Sequence, residues 1–207
     1  MSGVCGELAR LGVATVYEAS GKRGLIDASL VQIVPGSKVA GPARTVLCGQ
    51  DDNLMVHAAM ERVQPGDVLV ITMPEPAPVA LVGELLAVQA RARGAAAILV
   101  DAAVRDLEEL RELGLPVWAR WVRVRGAKKE EVGRLDEVVE VGGARISPGD
   151  IVVLDADGAV AVEAGRAGEV LEAALKREER ERGLRKRLET GELSYDLHGL
   201  REVVEGG

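Results

Sequence analysis

The middle of the chain alternates apolar runs with amphipathic helical segments, and this pattern constrains the fold more than any other feature. The run VLVIT at 68–72 leads through an expected loop at 73–82 into a helical pattern at 83–94, and the run AAAILV at 95–100 precedes another at 105–114. A glycine ends each helical pattern, and the short strand PVWAR follows at 116–120. Strands joined by crossover helices pair in parallel. The sequence therefore predicts an α/β domain.

The second half of the chain carries the signals of short antiparallel strands. Pro-Gly turns precede β-branched runs at 35–41, 65–73 and 148–158, and each turn is predicted to open a strand. Residues 137–164 alternate strands with Gly-Gly and Asp-Gly turns, which predicts an antiparallel meander. Residues 52–63 have apolar positions at helical spacing and predict an amphipathic helix. The expected strands are therefore partly parallel and partly antiparallel.

The C-terminal part differs from the rest of the chain. A helix is predicted over about 165–190, and charged residues occupy most of its faces, as in KREERERGLRKR at 176–187. Such a helix buries little of itself in its own domain and commonly packs on another subunit. We therefore expect a homo-oligomer whose subunit has a core at 1–164 and a C-terminal helix and tail at 165–207 that pack on a neighbouring subunit.

Composition and charge argue against several classes of partner. A formal net charge of −7 over 207 residues argues against non-specific binding to nucleic acid, which requires a basic face. No apolar segment is long enough to span a membrane, and the N-terminus lacks the basic start and apolar stretch of a signal peptide. The two cysteines have no metal-binding spacing, so a reducing cytoplasm is the expected location.

Familiar catalytic motifs are absent from the sequence. There is no GxSxG turn for a nucleophilic serine and no glycine-rich phosphate loop after a strand. The lysines lie in polar or turn-rich stretches, so none is placed to form a Schiff base in an apolar pocket. His57 lies among apolar residues of a helical segment, where a packed histidine is the more common explanation.

An adjacent Arg105–Asp106 pair follows the second parallel strand and admits two interpretations. In the first, the acid begins a helix and stabilises it by about 0.5 kcal/mol through the helix dipole. In the second, the pair lies at the carboxyl edge of the sheet, where α/β domains bind ligands. The helix that begins near Gly83 would bring free N–H groups to the same edge. Together these groups suit a small oxoacid on a divalent metal ion.

The same region resembles a known family. Glu84, twenty intervening residues and then Arg105–Asp106 resemble the motif of the class II 4-hydroxy-4-methyl-2-oxoglutarate and 4-carboxy-4-hydroxy-2-oxoadipate aldolases of the RraA-like superfamily. Further stretches that fit this family extend the resemblance over nearly the whole chain, at 15–27, 51–70, 145–162 and 187–201. The resemblance implies an α/β fold, a layered β/β/α sandwich of the RraA type with mixed sheets and a projecting C-terminal helix.

The resemblance also implies a metal-dependent lyase. It assigns Asp106 as a ligand of Mg²⁺ or Mn²⁺, and Arg105 as the residue that holds the pyruvyl group and stabilises its enolate. The substrate carboxylate would bind the backbone amides that open the helix, those of Gly83, Glu84, Leu85 and Leu86. The enzyme would cleave a 4-hydroxy-2-oxoacid to pyruvate and a second oxoacid. It would also decarboxylate oxaloacetate, because both reactions pass through the pyruvate enolate.

Two further implications concern the subunits and the acid at position 84. In these aldolases a second carboxylate of the metal site comes from the C-terminal helix of a neighbouring subunit, in a trimer or a dimer of trimers. Glu181 is the best match to that carboxylate, followed by Glu179. The family has Asp where this chain has Glu84, at a position that transfers protons through a metal-bound water. A water could bridge the extra methylene group, or the chain could act on a different substrate.

The alternative function within the same superfamily is not catalytic. The RraA regulators bind and inhibit RNase E and resemble the core of this chain. They lack the metal-binding Asp after the Arg, and they are shorter at the C-terminus. Because this chain has both Asp106 and a long C-terminal part, the resemblance favours the aldolase.

Overall fold

A computed structural model describes residues 2–206, and within that range it contains eight α-helices and eleven strands. The helices are α1 (Ser2–Leu11), α2 (Val13–Ala19), α3 (Leu54–Ala59), α4 (Glu84–Ala92), α5 (Leu107–Leu113), α6 (Ala167–Glu189), α7 (Ser194–Leu197) and α8 (Leu200–Glu205). The strands are β1 (Val31–Gln32), β2 (Val39–Leu47), β3 (Val68–Thr72), β4 (Ala80–Val82), β5 (Ala97–Val104), β6 (Val117–Val122), β7 (Arg134–Leu135), β8 (Val139–Val141), β9 (Ala144–Ile146), β10 (Ile151–Asp155) and β11 (Gly158–Val162). None of the described helices is long and apolar enough to cross a membrane.

The main sheet is mixed, as predicted. Its strand order is β1-β6-β5-β3-β2-β10-β11, with β4 added beside β5 and β7 beside β2. Strands β2, β3, β5 and β6 run parallel, whereas β10 and β11 pair antiparallel beyond β2. Three of the parallel strands, β3, β5 and β6, come from the alternating middle of the sequence, whereas β2 follows the Pro-Gly turn at 35–36 and β10 and β11 come from the second half.

Alternate residues of the parallel strands face two different cores. On one face, Leu69 and Ile71 of β3 pack in a cluster with residues of α3, α4 and α5. On the other face, Val68 and Val70 pack in a cluster with residues of β10, β11 and the hairpin β8–β9. The main sheet therefore curls back over its own parallel part, which gives two β layers and one helical layer. This confirms the predicted layered sandwich, and helices α1, α2 and α6 additionally cover the outer face of β10 and β11.

Several predicted elements have different bounds in the structure. The strand predicted at 95–100 runs on to Val104, and the helix predicted from Arg105 begins two residues later, at Leu107. The helix predicted over 52–63 is confined to Leu54–Ala59, because the chain turns there towards the Pro-Gly turn before β3. Residues 73–82, expected as a loop, contain the short strand β4.

The continuous antiparallel meander predicted for 137–164 is wrong. Strands β8 and β9 pair only with each other and form a separate two-stranded sheet. Strand β10 pairs with β2 and β11 instead, because the Pro-Gly turn at 148–149 redirects the chain to the edge of the main sheet. The two hairpins thus belong to different sheets that share one core.

The predicted C-terminal helix is confirmed as α6, of 23 residues. Only its first part is buried, through Ala167, Val170 and Ala174, which lie against the layer of α1 and α2. Arg10 of α1 binds the Glu178 carboxylate at 2.5 Å and extends this contact by one turn. Beyond that point α6 is exposed or half-buried, as expected of a helix that projects from its domain. Its packing on a neighbouring subunit stays a prediction.

Candidate functional site

The segments that carry the motif meet at one cavity of about 380 Å³. Arg105 and Asp106 follow the carboxyl end of β5, and Gly83 and Glu84 lie at the start of α4. The cavity is lined by all six predicted substrate and metal residues of this region, namely Gly83, Glu84, Leu85, Leu86, Arg105 and Asp106. The structure therefore brings together two segments that are about twenty residues apart in the sequence.

Strand β4 explains why the two segments meet. It pairs in parallel with the last residues of β5, so that Val82 lies beside Val104. The backbone N–H of Arg105 donates to the Val82 carbonyl at 3.1 Å. This hydrogen bond holds the end of β4 beside the end of β5. The segments that follow β4 and β5 then leave the sheet at the same edge, where α/β domains bind ligands.

Asp106 adopts a left-handed backbone conformation, with φ 61°, and its side chain is directed away from its own helix. It makes no side-chain cap to α5. Instead, its Oδ2 accepts a hydrogen bond from the Glu84 N–H at 3.0 Å, at the start of α4. The geometry thus agrees with the second interpretation of the Arg105–Asp106 pair, because the carboxylate joins the two segments and leaves Oδ1 without a hydrogen bond from the described residues.

Two glycines leave the space that Arg105 and Asp106 occupy. A Cβ atom added at Gly83 would overlap the Asp106 carboxylate and lie 3.2 Å from Arg105 Cγ. A Cβ atom added at Gly126 would lie 2.8 Å from Arg105 Nη1. Both glycines have ordinary backbone angles without a positive φ, so their lack of a side chain matters for space rather than for conformation.

Residues 13–161 match the family described as RraA-like, Aldolase/RraA. The chain belongs to the RraA-like family. A protein of Halalkalibacterium halodurans that provisionally carries the name 4-hydroxy-4-methyl-2-oxoglutarate aldolase is 36% identical over 141 residues, which make up 68% of this chain and 67% of that protein. The predicted family and its resemblance to aldolases are thereby confirmed.

Two solved structures share this fold over most of their length. Streptomyces coelicolor RraAS2, described as an unusual member of the RNase ES inhibitor RraA protein family, is 33% identical with a TM-score of 0.79, and the match covers 89% of this chain and 96% of that chain. An uncharacterized protein of Pseudomonas syringae pv. tomato str. DC3000 is 25% identical with a TM-score of 0.82, over 93% and 95% of the two chains. The relatives of this chain thus include a protein named as an aldolase and a protein described as an unusual member of an RNase inhibitor family.

The rest of the cavity wall consists of residues that the sequence had not indicated. Asn53 and His57 come from the region of α3, Ala80 from β4, Glu109 from α5, and Ala127 and Lys129 from the segment after β6. Helical spacing in 52–63 had suggested a packed His57, but the imidazole is exposed beside the cavity. Its place beside the cavity follows from the packing of α3 near β2 and β7, which the sequence pattern does not specify.

Two of these residues have polar atoms suited to a ligand. Partial burial, and secondly the charge of Lys129, lower the pKa of His57 below its ordinary value, which favours the neutral imidazole. The Asn53 amide is buried, and its Nδ2 donates to the Leu81 carbonyl at 2.9 Å. Asn53 Oδ1 accepts no hydrogen bond from the described residues. A buried acceptor of this kind calls for an additional donor at the edge of the cavity.

The residues present fit the divalent metal ion that the resemblance implies. Within residues 2–206 no group of three His, Cys, Asp or Glu side chains is close enough to enclose a metal ion. Mg²⁺ does not require one, because it keeps several waters and binds through one or two carboxylates together with its substrate. Asp106 is 39% exposed at the cavity and has a free Oδ1, so it can supply one such carboxylate.

The structure does not bring Glu181 to this cavity within one chain. Glu181 pairs with Arg177 at 2.8 Å on α6 and lines a separate cavity between α6 and α7. Glu179 pairs with Arg182 at 2.9 Å on the same helix. Both carboxylates are exposed enough to reach another subunit, and their role as a metal ligand in a neighbouring site stays a prediction.

Proposed function

We propose that the protein is a divalent-metal-dependent class II aldolase. It cleaves a 4-hydroxy-2-oxoacid to pyruvate and a second oxoacid, and it decarboxylates oxaloacetate. One observation carries this proposal: the Arg105 guanidinium, the open Oδ1 of Asp106 and the N-terminus of α4 all lie at one cavity. Membership of a family with an aldolase-named relative supports the same reaction class.

The chain's own groups suit recognition of a 2-oxoacid. The first N–H groups of α4 have no carbonyl partner within the helix, and the helix dipole favours an anion there. The Glu84 N–H is occupied by Asp106, which leaves those of Leu85 and Leu86 for a substrate carboxylate. Arg105 is 51% exposed and carries donors that can bind both the pyruvyl oxygens and the charge that develops on them.

A bound Mg²⁺ or Mn²⁺ would supply Lewis-acid chemistry, which stabilises negative charge on a keto oxygen. Asp106 would hold it through Oδ1 while Oδ2 remains bound to the Glu84 N–H. The Glu84 side chain lines the same cavity and makes no hydrogen bond with the described residues, so it is available to transfer a proton, directly or through a water.

The reaction can be tested with oxaloacetate as substrate. We expect pyruvate to form when Mg²⁺ or Mn²⁺ is present and its formation to stop when the metal is removed with a chelator and resume when metal is added back. The rate is to be compared with the metal-catalysed decarboxylation measured without protein. Branched 4-hydroxy-2-oxoacids are then tested for cleavage. A protein that turns over no 2-oxoacid with either metal is not this aldolase.

Replacing Glu84 with glutamine is expected to reduce turnover about 10²-fold, because the amide has the same shape but cannot exchange a proton at neutral pH. The metal affinity of Glu84→Gln should stay within about twofold of the unmodified protein, since Asp106 is unchanged. Steady-state kinetics with oxaloacetate and a Mn²⁺ titration measure the two quantities separately. An unchanged turnover number would remove Glu84 from the proposed proton transfer.

We further propose a trimer or a dimer of trimers in which Glu181 from a neighbouring subunit completes the metal site. The Glu181→Gln variant is then expected to need about tenfold more Mn²⁺ for half-maximal activity, because one carboxylate near the metal is lost. Glu179→Gln provides the comparison on the same helix. If Glu179→Gln needs more Mn²⁺ and Glu181→Gln does not, Glu179 is the metal ligand. If both variants need as much Mn²⁺ as the unmodified protein, α6 takes no part in the metal site.

The second candidate function is inhibition of an RNase E-type nuclease. It is favoured by the likeness to RraAS2, which spans 89% of this chain at 33% identity. A pull-down with RNase E, together with an assay of RNA cleavage at increasing amounts of the protein, tests it directly. Inhibition without any metal-dependent turnover of oxoacids would favour the regulator over the aldolase.

A further inference from the structure

The segment 125–131 forms part of the wall of the candidate active site without regular secondary structure of its own. Ala127 and Lys129 line the cavity, and the backbone of Gly126 lies close to the Arg105 guanidinium. One end of the segment is fixed to β4, where the Ala80 N–H donates to the Arg125 carbonyl at 2.7 Å. The position of Lys129 therefore depends on whatever fixes the rest of the segment.

That fixation comes from Asp52, which precedes α3. The carboxylate of Asp52 is 1% exposed and is surrounded by backbone N–H groups. Its Oδ2 accepts from the N–H groups of Glu130 at 2.6 Å and Glu131 at 3.1 Å, and its Oδ1 accepts from that of Leu54 at 2.8 Å. One side chain thus links the segment 125–131 to the start of α3.

Backbone hydrogen bonds complete this link on both sides of Lys128. The Lys128 N–H donates to the Asp51 carbonyl at 3.0 Å, and the Lys128 carbonyl accepts from the Asn53 N–H at 2.9 Å. Lys129, the next residue, then lies at the cavity beside His57. Asp52 does not line the cavity itself. It contacts the segment 125–131, and the segment in turn carries Lys129 at the cavity.

Asp52 is charged at neutral pH in spite of its burial. Burial disfavours the carboxylate, but the hydrogen bonds from the backbone of Glu130, Leu54 and Glu131, with a smaller contribution from the charge of Lys128, outweigh it and hold the pKa of Asp52 below its ordinary value. Hydrogen bonds to an ionised acceptor are about twice as strong as neutral ones. A carboxylate is therefore better suited than an amide to hold three N–H groups at this position.

We propose that Asp52 is a positioning residue that fixes the segment 125–131 and thereby holds Lys129 at the cavity for an anionic substrate. The part of this inference that concerns substrate rests on the proposed aldolase function, whereas the part that concerns the segment does not. Lys129 and Arg105 are the two lysine or arginine side chains among the residues that line the cavity. A displaced Lys129 would weaken binding of an oxoacid, while the hydrogen bond of the Arg125 carbonyl to β4 holds Gly126 beside Arg105.

The kinetic test compares Asp52→Ala and Asp52→Asn with Asp150→Asn. Asp150 is a matched control, because it is also a buried carboxylate (8% exposed) and accepts two backbone N–H groups, from Ser147 and Ala164, away from this cavity. In Asp52→Ala we expect the KM for oxaloacetate to rise about tenfold and kcat to change less than threefold, because a cation that binds the ground state and the transition state alike affects KM. The KM of Asp52→Asn, which keeps one acceptor oxygen, should lie between that of Asp52→Ala and that of the unmodified protein. The KM and kcat of Asp150→Asn should match those of the unmodified protein.

Hydrogen exchange tests the segment independently of any activity. The amides of Glu130 and Glu131 should exchange at least tenfold faster in Asp52→Asn than in the unmodified protein, and Asp150→Asn should leave them unchanged. Unchanged exchange at these amides overturns the proposal. If the Asp52 variants exchange faster but keep the KM of the unmodified protein, Asp52 has no effect on substrate binding and that part of the proposal is overturned. A fall in kcat with an unchanged KM overturns the same part. If the unmodified protein turns over no oxoacid, the aldolase proposal fails while the exchange result still decides the role of Asp52.

Discussion

The substitution Asp106→Asn is expected to lower metal-dependent turnover of oxaloacetate by about 10³-fold or more. A Lewis-acidic metal contributes several kcal/mol to the stabilisation of developing charge, and about 4 kcal/mol corresponds to about 10³ in rate. Asparagine has the same shape as aspartate and tolerates the left-handed backbone found at this position, φ 61°. The single amide oxygen of asparagine can take the place of Oδ2 and still accept from the Glu84 N–H. The loss would thus come from the missing charge and not from a changed fold.

Three measurements make this result specific. Turnover of Asp106→Asn should fall to the level that the unmodified protein shows with a chelator, and Mn²⁺ affinity should fall in parallel. The thermal unfolding temperature should change by no more than a few degrees. Glu108→Gln is the control, because Glu108 is an exposed acid two residues later that does not line the cavity. Activity that survives in Asp106→Asn would contradict both the metal site and the aldolase assignment.

The substitution Gly83→Ala is expected to reduce turnover about 10²-fold while the fold remains intact. The new methyl group would overlap the Asp106 carboxylate and crowd Arg105, so both must move. A displacement of about 1 Å in a catalytic group costs about 10²-fold in rate. The backbone at Gly83 is extended, with φ −136° and ψ −169°, which alanine adopts without strain. The fold should therefore accept alanine, and the loss should appear in turnover and metal affinity.

Gly168→Ala is the matched control for this substitution. Gly168 lies in the first turn of α6, has no positive φ, and a Cβ atom added there would have no neighbour within 4 Å. Turnover should be unchanged in Gly168→Ala. Kinetics and thermal unfolding on both variants separate the effect of crowding at the site from the general effect of removing a glycine. Full activity in Gly83→Ala would show that Asp106 does not act from the position seen in the structure.

The convergence of Glu84 with Arg105 and Asp106 could be predicted from the sequence because it follows from strand direction. Parallel strands end at one edge of a sheet, so residues that follow consecutive strands meet there whatever the details of packing. The predicted edge was right, although the strand that brings Gly83 to β5 is β4, in a stretch that had been expected to be a loop. Its three residues follow closely after Pro78 and are too few for a period of two to be recognised.

The remaining wall of the cavity could not be predicted in the same way. Asn53 and His57 lie at a predicted helix and Lys129 in an irregular segment, and no local pattern shows that contacts across about 75 residues of sequence bring them to one cavity. The separation of the two hairpins into different sheets was missed for the same reason. Turn residues fix where a strand begins, but its partner is chosen by the packing of both faces.

By itself, the sequence determined the alternation of strands and helices in the middle of the chain, the parallel centre with an antiparallel second half, the exposed C-terminal helix and the place where two chain segments would present an arginine and two acids. These features depend on local periodicity and on chain direction, which are properties of neighbouring residues. The tertiary structure alone decided that Asp106 binds the Glu84 N–H and leaves one oxygen open, that two glycines leave the space around it, and that Asp52 holds the far wall. Each of these depends on distances between residues that are remote in the sequence, and such distances are fixed only when the sheet, its helices and the irregular segments pack together.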